Sequence, residues 1–227
     1  MVKSKRGAKA TNGSVDFLFG LTLNHEICLR TKNHMEKIAI FASGTGSNAQ
    51  KIIEYFQGHP QVEVGLVVSN KAAAPVLEKA TAAGVDTKVI TRRSFYETTA
   101  LLDELKAKGI SFVVLAGFLW LVPAYLITAY PQRIVNIHPA LLPKFGGKGM
   151  YGKHVHQAVK DAGEKESGIT IHWVTPEYDE GGVIFQARCP VVASDQPEDI
   201  ARKVRQLEHE HFAPVLEKLL TERSKTN

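Results

Sequence analysis

Short apolar runs alternate with amphipathic stretches along most of this chain, and glycines, prolines and polar clusters separate them. Apolar runs of about four to eight residues are typical of buried strands, whereas longer stretches with apolar positions three or four apart indicate helices. The pattern predicts strands at 37–43, 62–69, 86–90, 111–116, 133–138, 169–175 and 183–192. It predicts helices at 48–57, 75–83, 94–108, 153–162 and 197–220, and one more that has Pro123 in its first turn.

The pattern changes in the last third of the chain. Ile169, Ile171 and Trp173 alternate with other positions and so share one face of a strand. The long amphipathic helix at 197–220 is expected to cover the sheet. Because strands and helices alternate regularly before this point, we predict an α/β fold, a Rossmann-like three-layer sandwich whose mostly parallel sheet becomes mixed after residue 165. We expect residues 35–227 to form a single domain.

The first 34 residues differ from the rest in charge. They hold six basic residues against two acidic ones, and so carry +4 of the formal net charge of +5. Their apolar patch at 15–21 superficially resembles a signal peptide, but Asp16 and Gly20 interrupt it and no small-residue cleavage pattern follows. The segment that follows, from Met35 onward, resembles the start of a protein chain. We expect residues 1–34 to be a basic disordered extension, an upstream start or a cloning artefact.

Composition excludes several classes of protein. A chain of 227 residues, 44% of them hydrophobic, can bury a sizeable core. No apolar run approaches the roughly 18 to 20 residues that cross a bilayer. Cys28 and Cys189 are too few and too far apart in the sequence for a disulfide framework or a metal site. We therefore expect free thiols and a cytoplasmic protein that needs neither a membrane nor a metal ion.

A glycine-containing loop, Ser43–Asn48, follows the first predicted strand. Its glycines let the backbone approach a ligand closely, and the start of the next helix attracts an anion. It is not a dinucleotide loop, since Asn48 and Ala49 occupy the place of the third glycine, and it lacks the lysine of a triphosphate loop. Two interpretations stay open: a phosphomonoester site, or a helix that Ser47 or Asn48 simply caps.

The segment Asn136–Pro139 ends the fifth predicted strand. Side chains at i and i+2 face the same side of a strand, so the amide of Asn136 and the imidazole of His138 can be presented together. Pro139 holds His138 extended, and in open α/β sheets ligands bind at the carboxyl ends of strands. An amide donor beside a proton-transferring ring suits a carbonyl carbon that passes through a tetrahedral state. Alone, His138 is more typical of a structural histidine and Asp179 of a turn residue.

Together, these motifs resemble the signature of the folate-dependent formyltransferases. The matching residues are Asn136-x-His138-Pro139-x-Leu141-Leu142-Pro143 and Thr175-x-x-Tyr178-Asp179-x-Gly181, and the similarity extends from Met35 to about Leu220. The loop Ser43–Asn48 narrows the resemblance to members that act on glycinamide ribonucleotide. The resemblance implies that 10-formyltetrahydrofolate is the co-substrate, that its formyl group passes to the substrate amine in purine biosynthesis, and that no metal takes part.

The resemblance also assigns roles to individual residues. It implies that Asn136 and protonated His138 stabilise charge on the formyl oxygen, while Asp179 orients His138 and a water that relays the proton. The implied substrate-binding residues are Gly46, Ser47, Asn48, Arg205 and Glu208, with Glu208 on the ribose hydroxyls. The implied folate-binding residues are Leu119, Trp120, Leu121, Val122, Asn136, Thr175, Tyr178 and Asp179.

Three positions depart from the family pattern. Trp120 stands where members often have arginine. Glu180 replaces a frequent glycine, and we expect that replacement to have no effect on function. The loop 145–153 is longer than the common form, and it is either a mobile lid that meets anionic substrate or a surface insertion. His156 and His172 align with histidines of relatives, but we interpret them as a helix residue and a core strand residue.

Other functions stay open at this point. Methionyl-tRNA formyltransferase normally carries a further C-terminal barrel, and formyltetrahydrofolate hydrolase an N-terminal regulatory domain; neither has the same need for a phosphate-binding loop. A nucleotide- or RNA-binding module would depend on the basic residues 1–34 alone and would leave Asn136, His138 and Asp179 unexplained. We therefore expect small-molecule substrates, no nucleic-acid partner, and a monomer or weak homodimer.

Overall fold

The computed structural model describes residues 35–223, and the predictions for residues 1–34, including Cys28, lie outside the described residues. The strands are β1 Glu36–Phe41, β2 Val62–Ser69, β3 Thr87–Val89, β4 Phe112–Leu115, β5 Ile134–His138, β6 Glu166–Trp173 and β7 Val183–Pro190. The helices are α1 Ser47–Phe56, α2 Pro75–Ala82, α3 Arg92–Tyr96, α4 Ala100–Ala107, α5 Ala124–Ala129, α6 Lys153–Asp161 and α7 Pro197–Arg223.

The strands form one seven-stranded sheet in the order β3-β2-β1-β4-β5-β6-β7. The five strands from β3 to β5 are parallel to their neighbours, whereas β6 pairs antiparallel with both β5 and β7. This confirms the predicted mostly parallel sheet that becomes mixed after residue 165. The chain moves outward from β1 to β3 and then returns to β4 on the other side of β1. Ligands bind at such a reversal of strand order in open α/β sheets.

Alternating strand residues pack into the two helical layers. Ile38 and Ile40 belong to a buried cluster with residues of α1, α2, α6 and α7, whereas Ala39 and Phe41 belong to a second cluster with residues of α3, α4 and α5. Side chains of a strand point alternately to opposite faces, so β1 supports both layers. The predicted three-layer sandwich is therefore confirmed.

The predicted helix at 94–108 is wrong, because two helices, α3 and α4, occupy this region. Thr91 and Ser94 form a reciprocal capping box that starts α3 earlier than predicted. The Thr98 hydroxyl donates to the Ser94 carbonyl oxygen at 3.1 Å, and it accepts the Ala100 amide at 3.4 Å. Hydroxyls that bond nearby backbone in this way compete with the helical ladder, which accounts for the break.

Smaller differences concern the ends of elements. Pro123 lies at the N-cap of α5 and not within its first turn. Strand β6 begins at Glu166, earlier than predicted, and ends at Trp173. Cys189 forms no disulfide bond with any described residue. Within residues 35–223, no helix combines the length and the apolar character that a bilayer span requires.

Candidate active site

A cleft of about 740 Å³ opens at the carboxyl ends of β1, β4 and β5. Its walls come from the loop after β1, the segment after β4, the end of β5, the loop before α6, the segment after β6 and one face of α7. It is lined by all the residues to which the resemblance assigns a catalytic or binding role, namely Gly46, Ser47, Asn48, Leu119, Trp120, Leu121, Val122, Asn136, His138, Thr175, Tyr178, Asp179, Arg205 and Glu208. The structure therefore brings these residues together, while their individual roles stay predictions.

The loop after β1 leads into α1 through Gly46. This glycine is the N-cap residue, with φ 68°, and no side chain of residues 35–223 caps the helix. The interpretation in which Ser47 or Asn48 caps α1 is therefore wrong. A Cβ atom on Gly46 would lie 2.3 Å from Cγ2 of Val76, so both the backbone angle and the space require glycine. Within the described part of the chain, the first amides of α1 therefore have no capping side chain and face the cleft, as an anion site requires.

The loop after β1 is joined to α7 by a hydrogen bond between two cleft side chains. Nδ2 of Asn48 donates to Oε2 of Glu208 at 3.0 Å, and Oδ1 of Asn48 is buried without a protein partner among the described residues. Arg205 lies three residues before Glu208 and so shares its face of the helix. Burial raises the pKa of Glu208, while the Asn48 bond and the charge of Arg205 act in the opposite direction.

The end of β5 presents Asn136 and His138 to the loop that carries Asp179. Oδ2 of Asp179 lies 3.4 Å from Nδ1 of His138, and Nδ2 of Asn136 donates to Oδ1 of Asp179 at 3.4 Å. The amide of Gly147 donates to Oδ2 of the same carboxylate at 3.0 Å. Asp179 has φ 58°, a left-handed conformation that is uncommon for residues other than glycine. One carboxylate therefore joins the strand end, the loop before α6 and the segment after β6.

Both ring nitrogens of His138 face polar atoms. Nε2 lies 2.8 Å from the carbonyl oxygen of Phe145, and because a carbonyl oxygen only accepts, Nε2 carries a proton and Nδ1 faces Asp179. Burial lowers the pKa of His138, while the charge of Asp179 and the Phe145 carbonyl act to raise it. The protonated form that the resemblance implies is therefore the minor form at neutral pH in the free protein.

Asp179 itself is ionised at neutral pH. Its burial acts to raise the pKa, but the contact with the His172 ring, the charge of His138 and the Gly147 amide outweigh burial and hold the pKa below its ordinary value. The charge of His138 contributes only while that imidazole is protonated. At neutral pH the hydrogen-bonding groups around the carboxylate therefore stabilise its charge.

His172 is a functional candidate that the sequence analysis interpreted only as a core strand residue. It is buried in β6, as predicted, but its Nε2 also lies 3.1 Å from Nδ2 of Asn136 and 3.4 Å from Oδ1 of Asp179. Nδ1 of His172 donates to the Trp173 carbonyl oxygen at 2.9 Å, which leaves Nε2 facing Asn136 and Asp179. His172 is the antiparallel partner of Asn136. Residues directly opposite each other share a face, so the register between β5 and β6 brings His172 to Asn136.

The segment 119–122 is held at the cleft by neighbouring side chains. The Leu119 amide donates to Oγ of Ser43, and the Tyr96 hydroxyl donates to the Leu121 carbonyl oxygen, both at 3.0 Å. The Trp120 ring lies 5.9 Å from the Tyr96 ring, and the guanidinium of Arg92 lies 5.3 Å from the Trp120 centroid. The resemblance leads us to expect arginine at the position of Trp120. This chain has an aromatic ring there instead, with Arg92 of α3 beside the ring.

The glycine-rich loop before α6 forms part of the cleft wall. Residues 147–152 line the cleft, and Gly147 is tied to Asp179 as described above. The interpretation as a surface insertion therefore does not describe the whole loop, while movement as a lid stays a prediction. Among the described residues, no group of three or more His, Cys, Asp and Glu side chains is arranged to hold a metal ion.

Comparison with known proteins identifies close relatives. Residues 36–216 match the family described as formyl transferase. The chloroplastic phosphoribosylglycinamide formyltransferase of Arabidopsis thaliana is 42% identical over 196 residues, which cover 84% of this chain and 67% of that protein. The phosphoribosylglycinamide formyltransferase of Escherichia coli K12 is 37% identical over 184 residues, or 79% of this chain and 84% of that one. The structure of glycinamide ribonucleotide transformylase 1 from Symbiobacterium toebii is similar with a TM-score of 0.76 and 35% identity, over 84% of this chain and 90% of that chain.

Proposed function

Because this chain belongs to the formyl transferase family, we propose that it transfers the formyl group of 10-formyltetrahydrofolate to the amino group of 5'-phosphoribosylglycinamide in purine biosynthesis. The observation that carries this proposal is the meeting of Asn136, His138 and Asp179 beside the loop Gly46–Asn48 in one cleft. An anion site next to an amide, an imidazole and a carboxylate suits a phosphorylated substrate whose amine attacks a formyl carbon.

In the proposed reaction, the neutral amine of the substrate attacks the formyl carbon and the formyl oxygen gains negative charge. Nδ2 of Asn136 donates a hydrogen bond to that oxygen. A donor of this kind stabilises the transition state by about 2.7 to 4 kcal/mol. In the unliganded protein this amide nitrogen lies 3.1 Å from Nε2 of His172 and 3.4 Å from Oδ1 of Asp179, and in the proposed reaction the formyl oxygen replaces one of these partners.

His138 moves the proton in the proposed reaction. Because burial keeps its imidazole neutral at neutral pH, it can accept the proton that the amine loses, directly or through an ordered water. The imidazolium formed lies between the Asp179 carboxylate and the Phe145 carbonyl oxygen, which stabilise its charge. The new C–N bond is then complete, the C–N bond to the folate breaks, and His138 returns the proton to the folate nitrogen.

The two substrates enter from different sides of the cleft in this proposal. The phosphate binds the amides of Gly46, Ser47 and Asn48 with Arg205 opposite, and Glu208 accepts hydrogen bonds from the ribose hydroxyls. The folate lies along residues 119–122, and the remaining folate contacts come from Asn136 and from the segment 175–179. Backbone groups of these two segments recognise the pterin.

The remaining parts of the proposal concern the whole chain. Residues 35–227 act as one formyltransferase domain, and the family match over 36–216 supports this assignment. Residues 1–34 are an extension that takes no part in catalysis. The protein acts on small molecules in the cytoplasm as a monomer or weak homodimer, without a nucleic-acid partner.

A product assay with three arms tests the proposed function. The purified protein and 10-formyltetrahydrofolate are incubated with glycinamide ribonucleotide, with charged initiator tRNA, or with neither, and the formylated products are identified by mass spectrometry. The proposal predicts formylated glycinamide ribonucleotide and no formylated tRNA. Formylation of the tRNA alone, or release of formate at the same rate with no acceptor, would contradict it.

A further inference from the structure

His156 on α6 is a buried histidine that lines the cleft and makes no hydrogen bond to any described residue. The residue is only 6% exposed, and its Nδ1 atom is buried without a hydrogen-bond partner among residues 35–223. A buried polar group without a partner costs free energy, and such groups are uncommon in folded proteins. The neighbouring Val155 and Val159 of α6 are buried apolar residues that would hold the helix in place without this imidazole.

The position of His156 links two parts of the cleft. His156 lines the same cleft as Arg205 and His138, and both of these residues act electrostatically on its ring. Helix α6 packs against α7, which also carries Glu208. A substrate that extends from the α1 loop to His138 would occupy the cleft that His156 lines, so its segment between the phosphate and the amine is the part available to the imidazole.

The protonation state of His156 limits the kind of group that it can bind. Burial, together with the charge of Arg205 and that of His138 while it is protonated, lowers its pKa to about 4. At neutral pH the ring is uncharged, with one nitrogen that donates and one that accepts a hydrogen bond. A neutral imidazole suits an uncharged polar group such as a hydroxyl or an amide, whereas a phosphate is better bound by backbone amides and Arg205.

We propose that His156 is a substrate-binding residue that hydrogen-bonds the uncharged sugar–amide segment of glycinamide ribonucleotide. This inference rests on the proposed function, since it names a further contact to the same substrate. It replaces the interpretation of His156 as a helix residue with a structural role only. A structural role would affect both substrates equally, whereas this role concerns one of them.

Calorimetric binding of each substrate separates the two roles. Glycinamide ribonucleotide and a non-reactive 10-formylfolate analogue are titrated into the wild-type protein, His156→Ala, His156→Gln and the control His154→Ala. His154 lies on the same helix but is exposed, and its ring makes an edge-to-face contact with Tyr151. We expect His156→Ala to lower the affinity for glycinamide ribonucleotide by about five- to tenfold, as for the loss of one hydrogen bond. The affinity for the folate analogue should stay unchanged.

Further results of the same experiment decide the outcome. His156→Gln should recover part of the lost affinity because its amide can reach the position of a ring nitrogen, and His154→Ala should bind like the wild type. The inference is overturned if His156→Ala binds glycinamide ribonucleotide within about twofold of the wild type, or if both ligands weaken equally. Failure of the wild type to bind or formylate this substrate would instead contradict the proposed function.

An NMR measurement on the wild-type protein tests the same inference without any substitution. With ¹⁵N-labelled histidine, the ring nitrogens of His156 are observed by NMR before and after each ligand is added. We expect glycinamide ribonucleotide to shift these resonances and the folate analogue to leave them in place. Unchanged His156 resonances at saturating glycinamide ribonucleotide would overturn the inference even if a variant failed to fold.

Discussion

The carboxylate of Asp179 lies 3.4 Å from Nδ1 of His138, although one residue belongs to a loop and the other to the end of β5. Burial opposes a charge on this imidazole, whereas Asp179 and the Phe145 carbonyl oxygen favour it. The protonation state of His138 therefore depends on a balance that a single neighbouring carboxylate can alter. A group of this kind can take up and return a proton near neutral pH, as the proposed reaction requires.

Replacing Asp179 by asparagine tests this balance. The carboxylate raises the pKa of His138, so its removal should lower that pKa further, as an NMR titration of the histidine would measure. Turnover should fall by about two to four orders of magnitude because the imidazolium loses its counter-charge. The control variant Glu180→Gln, at the neighbouring exposed residue, should change neither the pKa of His138 nor the turnover. An unchanged or raised pKa of His138 in Asp179→Asn would show that the carboxylate does not stabilise the imidazolium.

The buried His156 predicts a specific dependence of stability on pH. Its pKa is about 4 in the folded protein, against an ordinary value of 6.5, so between these values the unfolded chain binds a proton that the folded protein does not. The free energy of unfolding should therefore fall as the pH falls from 6.5 towards 4. The contribution of His156 is about 2 to 3 kcal/mol by about pH 4.5, at 1.36 kcal/mol per pKa unit.

Urea denaturation at about pH 7 and about pH 4.5 measures this contribution. The variant His156→Gln has no titrating group at this position. Between these two pH values its free energy of unfolding should therefore fall by about 2 to 3 kcal/mol less than that of the wild type. His154→Ala, on the exposed side of α6, should retain the full wild-type dependence. Equal pH dependence in the wild type and in His156→Gln would contradict the prediction.

Two adjacent glycines offer a matched test of the loop that carries Asp179. A Cβ atom on Gly181 would lie 1.6 Å from the carbonyl oxygen of Trp173, whereas one on Gly182 would lie 3.7 Å from Cδ1 of the same residue. Gly181→Ala must therefore move the backbone two residues from Asp179. We expect turnover to fall about a hundredfold, as for a shift of about 1 Å in a reacting group.

The matched variant Gly182→Ala meets only an ordinary van der Waals contact and should keep near wild-type turnover. Steady-state kinetics with both substrates compares the two variants, and circular dichroism checks that each is folded. If Gly181→Ala and Gly182→Ala have equal turnover, the close approach of residue 181 to β6 does not position Asp179.

The main features of the fold follow from local patterns in the sequence. The alternation of apolar runs and helical stretches predicts the parallel strands, and the i, i+2 spacing of Asn136 and His138 predicts that they share a face. The break between α3 and α4 is harder to predict, because it depends on the hydroxyl of Thr98 bonding backbone groups in place of the helical ladder. The local apolar spacing alone continues through that break.

Other features depend on contacts between segments that are distant in sequence. His172 joins the reacting centre because β6 pairs with β5 in a register that places it opposite Asn136, and an isolated strand pattern does not specify that register. The neutral state of His138 results from burial by segments around the cleft, which no local motif reports. The motifs therefore indicate which residues meet, whereas the folded environment determines their protonation.

The rate of the chemical step in Asn136→Ala tests the central claim most directly, namely that the side chains at the end of β5 form the reacting centre. In a single-turnover experiment with both substrates saturating, we expect formyl transfer to slow by about two to three orders of magnitude, as for the loss of an oxyanion donor, with little change in either dissociation constant. A rate within about tenfold of the wild type, or a loss confined to substrate binding, would contradict the account.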